Sequence, residues 1–239
     1  MLQVERHKQI LQLLEEKTAL RVRELSKELY ASEATVRRDL AELERAGLLR
    51  RVYGGVTLNE AQMPLDFRRQ ENAAAKREIA RRAAALISDG DTVFLDGSST
   101  AQHLIPHLSR FRDLTILTNS HSAVEALAGA NHRVFCTGGR LVAHNRVFVG
   151  PVAEAALQNF SPSIAFFSSQ GVSQGGNVTD DSEEETALRR VLLRCARRRV
   201  LLCDSAKLER VHLFRLCHLS EVDEVICDGE IPAEYFAKK

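Results

Sequence analysis

Hydrophobic residues recur at helical spacing in three short runs near the start of the chain. The first run predicts a helix over residues 4–16, and the second predicts a short helix over residues 23–29. The third run places Val36, Leu40 and Leu43 on one face of a third helix. Three helices that each have one apolar face are expected to pack around a small common core.

Local signals delimit the third helix and predict a β-hairpin after it. Ser32 is suited to the N-cap, and acidic Glu33 stands in the first turn, where the positive end of the helix dipole favours it. Gly47 is suited to the left-handed position just past the helix end. The basic segment over residues 48–56 contains a glycine pair and is typical of a hairpin wing. A winged helix-turn-helix is therefore predicted over residues 1–57.

Arginine and hydroxyl side chains occupy the exposed side of the third helix and the wing. An arginine fork bonds guanine edges or phosphates and a hydroxyl contacts either, so this surface is suited to double-stranded DNA. The candidate DNA contacts are Ser32, Thr35, Arg37, Arg38, Arg50, Arg51 and Tyr53. Asp39 would repel phosphate, and we expect it to hold a neighbouring arginine or a backbone amide. A plain three-helix unit with a solvated charged face is the alternative interpretation.

The hydrophobic pattern changes in the second part of the chain. A polar segment over residues 58–75, which contains Pro64, is predicted to be a linker. Over residues 76–239, short apolar runs alternate with helical patterns, which predicts an α/β domain built on a largely parallel sheet. The predicted strands lie at residues 92–95, 114–118, 133–136, 164–167, 199–203 and 222–227.

Loops rich in glycine, serine and threonine follow four of these predicted strands. Ligands of such sheets bind beyond the carboxyl ends of the strands, and free amides, hydroxyls and cations bind phosphate. The candidate effector-binding residues are Asp96, Gly97, Ser98, Ser99, Thr100, Thr118, Asn119, Ser120, Gly138, Gly139, Arg140 and Lys207. Together they predict a small anionic, polyhydroxylated ligand, with its phosphate near residues 97–100.

Composition narrows the class of protein. The 239 residues carry a net charge of +1, so any affinity for DNA must come from a local patch. Five cysteines without a CxxC pair fit a reducing compartment, and no apolar run approaches the length of a membrane span. We therefore expect a cytoplasmic protein with no contact with a membrane, no metal site and no cofactor.

The motifs of both halves resemble those of the DeoR family of bacterial transcription regulators. In the first half the resemblance rests on Arg6, Ile10, Leu14, Ser32 and residues 35–40, and in the second half on residues 96–100, 118–120, 138–139, 150–151 and 204–207. The family implies a sensor domain that resembles sugar-phosphate isomerases. Glu185 stands where the family usually has an acid, which adds it to the candidate effector-binding residues. Arg189 stands where a lysine is more common.

The resemblance implies a function for the whole chain. We expect a repressor of a carbohydrate-utilisation operon that a phosphorylated sugar or sugar alcohol releases from its operator. Dimers read two half-sites, so a homo-oligomer, either a dimer or a tetramer, is expected. The second domain is the expected site of both sensing and oligomerisation.

Two other classes of function compete with this interpretation. An isomerase would need a positioned carboxylate, for which Asp96, Glu185 and Asp204 are candidates, but these acids are equally suited to binding sugar hydroxyls. His103 and His107 stand four residues apart without an evident third metal ligand. A winged helix that binds another protein is the third interpretation, although its arginines fit phosphates better than an apolar partner. We therefore predict that the chain is not an enzyme.

Overall fold

The structure, a computed structural model, describes residues 2–17, 19–52, 55–58, 63 and 65–237. The chain divides into two compact units, Met1–Pro64 and Leu65–Lys239. Among the described residues, no helix combines the length and the apolar character that crossing a membrane requires.

The first unit is a winged helix-turn-helix in its described part. Its elements are α1 (Gln3–Glu16), α2 (Val22–Glu28), α3 (Glu33–Arg45), β1 (Leu49–Val52) and β2 (Gly55–Leu58). The two strands pair in antiparallel register, and Leu20 adds a single antiparallel bridge to Val56. The predicted apolar faces form the core, because Ile10, Leu25 and Val36 have no exposed surface.

Both predicted ends of α3 are confirmed. The Ser32 hydroxyl accepts a hydrogen bond of 3.1 Å from the Thr35 amide, as an N-cap does. At the other end Gly47 has a φ of 74°. Its amide donates to the Glu44 carbonyl and the Leu48 amide donates to the Leu43 carbonyl, both at 2.9 Å. These two bonds form a Schellman motif, which needs the left-handed residue that glycine provides.

The second unit is an α/β domain. It comprises, in chain order, α4 (Leu65–Gln70), α5 (Ala73–Ala84), β3 (Thr92–Leu95), α6 (Ser99–Gln102), α7 (Ile105–Leu108), β4 (Thr115–Thr118), α8 (His121–Leu127), β5 (Arg133–Cys136), β6 (Arg140–Val142), β7 (Val147–Val149), α9 (Pro151–Leu157), β8 (Ile164–Phe167), β9 (Gly171–Val172), β10 (Asn177–Asp180), α10 (Glu183–Cys195), β11 (Arg198–Cys203), β12 (Phe214–His218) and β13 (Glu224–Cys227). The fold class predicted from the alternating pattern is confirmed.

Six parallel strands form the main sheet in the order β13-β11-β8-β3-β4-β5. Strand order reverses between β3 and β8, which makes their carboxyl ends the crevice where doubly wound sheets bind ligands. Side chains alternate along each strand, so Leu95 packs in one apolar layer with Ile79 of α5, and Phe94 packs in the other with Leu188 of α10. Helices therefore cover both faces of the sheet.

The segment predicted as a linker differs in the structure. Residues 65–70 form α4, α5 begins at Ala73, and β2 continues to Leu58. Leu65 is buried, whereas most of the other side chains of α4 are at least partly exposed. A helix this short that buries one residue has no visible hydrophobic period, which is why the pattern missed it.

Two small sheets were also absent from the prediction. Strands β12, β10 and β9 form one antiparallel sheet, and β6 and β7 form a hairpin. All five strands have between two and five residues. Strands β6, β7 and β9, of two or three residues, carry too few alternations to be distinguished from loops.

Candidate DNA-binding surface and ligand cleft

The candidate DNA contacts of α3 and β1 are accessible. Arg37, Arg38, Arg50 and Arg51 are all exposed, and the Ser32 hydroxyl at the start of α3 is exposed with them. Two of these arginines already pair within the chain: Arg37 with Glu33 at 3.2 Å, and Arg51 with Glu44 at 2.9 Å. These are surface pairs of small energy, so phosphate can displace the glutamates. Thr35 is half-buried, and Tyr53 lies outside the described residues.

Asp39 fastens α3 to α1. Its carboxylate accepts hydrogen bonds from Arg6 Nε at 2.8 Å and Arg6 Nη2 at 3.0 Å, and it lies 3.2 Å from His7 Nε2. Burial is the largest single influence and raises the pKa of Asp39, but the hydrogen bonds and charges of Arg6 and His7 together outweigh it and hold that pKa below its usual value. The prediction that Asp39 holds a neighbouring arginine is confirmed.

We expect Asp39→Asn to lower the free energy of unfolding of the first unit by about 1 to 3 kcal/mol, because Arg6 loses its charged acceptor. Urea unfolding followed by circular dichroism measures this loss. Glu44→Gln is the matched control, since its pair with Arg51 is exposed and should contribute under about 1 kcal/mol. Equal losses in the two variants would contradict the fastening role of Asp39.

An open cleft of about 570 Å³ lies at the reversal point of the main sheet. Its walls come from α4 and α5, from the loops after β3, β8 and β11, and from β10 and α10. The lining residues are Arg68, Glu71, Asn72, Lys76, Ser98, Ser99, Ser168, Ser169, Gln170, Asp180, Glu185, Arg189, Asp204, Ala206, Lys207 and Arg210. Of the predicted effector contacts, the structure brings Ser98, Ser99, Glu185 and Lys207 together in this lining.

The loop after β3 and Lys207 form one end of the cleft. Lys207 Nζ lies 2.8 Å from Ser168 Oγ, 3.3 Å from Thr100 Oγ1 and 3.3 Å from Asp204 Oδ2. The Ser98 hydroxyl caps α6. Within the described part of the chain, no acceptor is found for the amides of Ser99 and Thr100. An ammonium beside two amides without an acceptor is chemistry suited to a phosphate.

Asp96 lies beneath the cleft and has no capacity left for a ligand. Oδ1 accepts from the Ser98 amide at 2.9 Å and from its hydroxyl at 2.5 Å. Oδ2 accepts from Arg189 Nε at 3.0 Å and from the Ser168 amide at 3.2 Å. Four donors occupy the lone pairs of both oxygens. These contacts give Asp96 a role in shaping the loops around it.

Gly97 and the residues after β4 also support the loop and do not line the cleft. The Gly97 amide donates to Asn119 Oδ1 at 3.1 Å, and a Cβ at Gly97 would stand 2.0 Å from Val147 Cγ1. Thr118 Oγ1 donates to the Leu95 carbonyl, and Ser120 caps α8. Strand β4 lies on the side of β3 away from β8, so its end does not reach the crevice.

Gly138, Gly139 and Arg140 lie farther from the crevice, after edge strand β5. Gly139 has a φ of 108°, and a Cβ there would stand 2.7 Å from the Val149 carbonyl oxygen, so the hairpin requires glycine. Arg140 forms an exposed ion pair with Glu184. These three residues serve the β6–β7 hairpin in this structure and are not part of the cleft lining.

Arg189 is the centre of a buried charge cluster. Its guanidinium donates to Asp96 at 3.0 Å, to Asp180 at 2.8 Å and to Glu185 at 3.1 Å. Burial opposes the charge, but the three carboxylates outweigh it and raise the pKa of Arg189. Burial raises the pKa of Asp180 despite this partner. A planar fork satisfies three separate acceptors at once, which explains how arginine functions where a lysine was expected.

Lys76 and Arg68 are two of the cleft cations that the sequence analysis missed. Lys76 on α5 is 2% exposed, and its ammonium donates to the Arg68 carbonyl. Burial first, and then the charge of Lys207, lowers the pKa of Lys76 to about 8. Arg68 on α4 donates at 2.7 Å to Asn145, whose amide donates at 2.5 Å to Glu185. Lys76 shares a helix face with Ile79 and Ala83, and a lysine in an apolar stripe is the signal that was overlooked.

The two histidines considered as metal ligands have other contacts. His103 Nε2 lies 3.1 Å from the Arg69 carbonyl, and His107 Nδ1 lies 2.5 Å from Arg110. Across the part of the chain that the structure describes, no group of three potential ligand side chains suits a metal ion.

Both halves of the chain match known family models. A DeoR-like helix-turn-helix domain matches residues 6–62, and a DeoR C-terminal sensor domain matches residues 71–229. The chain belongs to the DeoR family. This DeoR-family chain is 33% identical over 230 residues to the L-fucose operon activator of Haemophilus influenzae, which covers 93% of the chain and 91% of that protein. The lactose phosphotransferase system repressor of Staphylococcus epidermidis is 34% identical over 228 residues, 92% of the chain and 90% of that protein.

Solved structures align with this chain at low identity. The crystal structure of eIF2B delta from Chaetomium thermophilum aligns with a TM-score of 0.51 and 14% identity, over 84% of this chain and 65% of that chain. A ribose 5-phosphate isomerase from Methanocaldococcus jannaschii aligns with a TM-score of 0.43 and 18% identity, over 57% of this chain and 55% of that chain. Membership of the DeoR family makes the chain a DNA-binding transcription regulator, and both relatives are named as regulators of sugar systems.

Proposed function

We propose that this DeoR-family protein is a repressor of a carbohydrate-utilisation operon, and that a phosphorylated sugar or sugar alcohol in the cleft releases it from DNA. The observation that carries the proposal is the cleft itself, whose lining combines cations, hydroxyls and carboxylates beside amides that have no acceptor. Relatives named for the fucose operon and the lactose phosphotransferase system support a sugar-derived ligand.

The phosphate binds between Lys207, Lys76 and the amides of Ser99 and Thr100. Lys207 lies close enough to Lys76 for its charge to lower the pKa of Lys76, so a dianion between the two lysines relieves their repulsion. Thr100 has no exposed surface, so a phosphate bound beside it is held away from bulk water. Charge-assisted hydrogen bonds are strongest in such surroundings.

The sugar hydroxyls bind near Glu185 and Asp180. Both carboxylates hold Arg189 through one oxygen and line the cleft. Ser169 and Gln170, which follow β8, add further polar groups to this lining. A polyhydroxylated ligand matches this set of acceptors and donors better than an apolar one.

The same contacts favour binding over catalysis. A general base needs a carboxylate free to take a proton from the substrate. Asp96 is saturated by four donors, and Glu185 is held by Arg189 through one oxygen and by Asn145 through the other. Purified protein incubated with a panel of hexose and hexitol phosphates tests this. Turnover of any of them would contradict a regulator without enzymatic activity.

An assembly of at least two copies brings two winged helices to one operator. One small unit makes few contacts, whereas a dimer reads two half-sites about one helical turn apart. The second unit, which is the larger one, supplies the association surface. The ligand lowers operator affinity because it binds more tightly to an arrangement of the DNA-binding units that does not fit the half-sites.

Fluorescence anisotropy with a labelled operator, selected from random double-stranded DNA, tests the proposal directly. Each phosphorylated sugar or alditol is added to the preformed complex. Release by one of them, together with an increased melting temperature of the free protein, is the expected result. If the selected operator binds equally well with every ligand that raises the melting temperature, the release model is wrong.

Arg38→Ala should weaken operator binding by about 1 to 3 kcal/mol if Arg38 makes a bidentate base contact. Arg38 is exposed on α3 beside the exposed Ser32 cap. Operator titrations at fixed salt measure the change, and ligand binding should be unaltered. Arg194→Ala, an exposed arginine of α10, is the matched control and should leave operator affinity unchanged. An unaltered operator affinity in Arg38→Ala would remove this residue from the contact surface.

Ligand affinity should fall as pH rises above 8. Lys76 loses its proton near pH 8 in the free protein, because burial and Lys207 disfavour its charge more strongly than Asp204 and Glu71 favour it. The bound dianion favours the charged lysine, so the affinity decreases by up to about tenfold per pH unit above 8. Phosphate is itself a dianion across this range, since its second pKa is about 6.

Calorimetric titrations between pH 7 and pH 9 measure this dependence. Lys76→Met preserves the buried apolar volume and removes the charge, so it should bind more weakly at pH 7 and show a flat profile. A slope in Lys76→Met equal to that of the natural protein would assign the titration to another group.

A further inference from the structure

Two cysteines face each other at the carboxyl ends of neighbouring strands. Strands β11 and β13 are parallel, and their register pairs Cys203 directly with Cys227. Opposed residues of adjacent strands point to the same face of the sheet, and the strands lie about 4.8 Å apart. A disulfide needs Cα atoms roughly 4.4 to 6.8 Å apart, so this pair can be bridged without moving the backbone far.

Each of the two thiols also changes the pKa of the other. The neighbouring Cys203 is the largest influence on Cys227, and with the Gly229 amide it lowers the pKa of Cys227 against the opposing effects of burial, Asp228 and Asp204. Cys227 and burial in turn raise the pKa of Cys203. One thiol therefore deprotonates readily while its neighbour keeps its proton, which is the asymmetry of a nucleophile beside a resolving thiol.

The other cysteines lack this arrangement. Cys136 is exposed on edge strand β5, and Cys195 ends α10. Burial raises the pKa of Cys217 to about 12, which keeps it a thiol. Cys227 is 6% exposed, whereas Cys203 has no exposed surface, so a small oxidant reaches Cys227 first.

We propose that Cys203 and Cys227 form an oxidation site that a hydroperoxide converts into a disulfide. The Cys227 thiolate attacks one peroxide oxygen: the S–O bond forms, the O–O bond breaks, and hydroxide leaves. Sulfur is oxidised to sulfenic acid and the peroxide is reduced. Cys203 sulfur then attacks the sulfenic sulfur, the S–S bond forms, the S–O bond breaks, and the departing hydroxide takes the Cys203 proton as water. A dithiol reductant reverses the bond by exchange.

The bond would form at the base of the loop that carries Lys207. Asp204 and Asp228 directly follow the two cysteines, and the Asp228 carboxylate accepts from the Ser205 amide at 2.7 Å and from its hydroxyl at 3.1 Å. Oxidation therefore joins the two strand ends that hold one wall of the cleft. An effect of the disulfide on regulation rests on the proposed binding of a ligand in this cleft. The oxidation of the two cysteines is tested without any ligand.

The full-length protein is treated with increasing hydrogen peroxide, its remaining thiols are blocked, and digested peptides are analysed by mass spectrometry. Trypsin leaves Cys217 and Cys227 in one peptide, so a glutamate-specific protease is added to cut after Glu221 or Glu224. The expected result is the loss of two thiols, a peptide pair joined through Cys203 and Cys227, and full recovery with dithiothreitol. Absence of that pair at a peroxide concentration that oxidises exposed Cys136 would overturn the proposal.

Variants separate the two roles. In Cys203→Ser the sulfenic acid persists at Cys227 and is trapped with dimedone, whereas Cys227→Ser loses both the label and the disulfide. Cys195→Ser is the matched control and retains the disulfide. Labelling of Cys136 with none at Cys227 in Cys203→Ser would also overturn the assignment. If Cys203→Ser fails to fold, the cross-linked peptide of the natural protein decides the question alone.

Discussion

Replacing Arg189 with methionine should lower the free energy of unfolding of the second unit by about 3 to 5 kcal/mol, because three buried carboxylates lose the guanidinium that pairs with all of them. Arg189 donates to Asp96, Asp180 and Glu185 at 3.1 Å or less. The loss should be greater at pH 8 than at pH 5. Unpaired buried carboxylates have raised pKa values, so the folded variant takes up protons as pH falls and regains stability.

Urea unfolding by circular dichroism at pH 5 and pH 8 measures both effects. Arg194→Met is the matched control, because Arg194 is an exposed arginine on the same helix and should change stability by less than about 0.5 kcal/mol. Arg189→Lys should fall between the two, since it restores the charge without the planar fork. A loss for Arg189→Met that does not vary with pH would contradict an ionised cluster.

Lys207→Ala should weaken binding of the phosphorylated ligand by about 2 to 5 kcal/mol and abolish release from the operator, while operator affinity stays the same. The ammonium of Lys207 joins the loops after β3, β8 and β11 through Thr100, Ser168 and Asp204. Removing it leaves the bound phosphate without its partly exposed counter-ion. Calorimetry gives the affinity, and anisotropy gives the release.

Arg210→Ala provides the comparison. Arg210 lines the same cleft, and it is far along the sequence from the loop after β3. It should weaken binding less than Lys207→Ala. Ligand-induced release that survives in Lys207→Ala would move the phosphate to another part of the cleft. Loss of operator binding by the same variant would instead mean that the second unit had been damaged.

The first unit was predictable from its sequence because its determinants are local. Ser32 and Gly47 each act within a few residues of their own position, and the apolar spacing of α1 to α3 encodes the packing. Asp39 was foreseen as a residue that binds a neighbour. Its partner Arg6 stands 33 positions away, which no local pattern specifies.

The ligand cleft was only partly predictable, since it depends on the order of strands in the sheet. Loops after β3, β4, β5 and β11 look alike in sequence, yet only those after β3 and β11 line the cleft. The loop containing Ser168 follows β8 directly at that point and was overlooked. Lys76 was missed because its helix was judged by its apolar residues alone.

Helix α4 changes where a regulator of this kind can be divided. Arg68 and Glu71 line the cleft although they belong to a stretch that resembles a spacer in sequence. A chimaera that exchanges DNA-binding heads between two relatives and joins them at residue 76 would therefore combine one protein's sensing pocket with a wall from another. A junction before Leu65 transfers the pocket whole, so the specificity for the inducer and the specificity for the operator can be inherited separately.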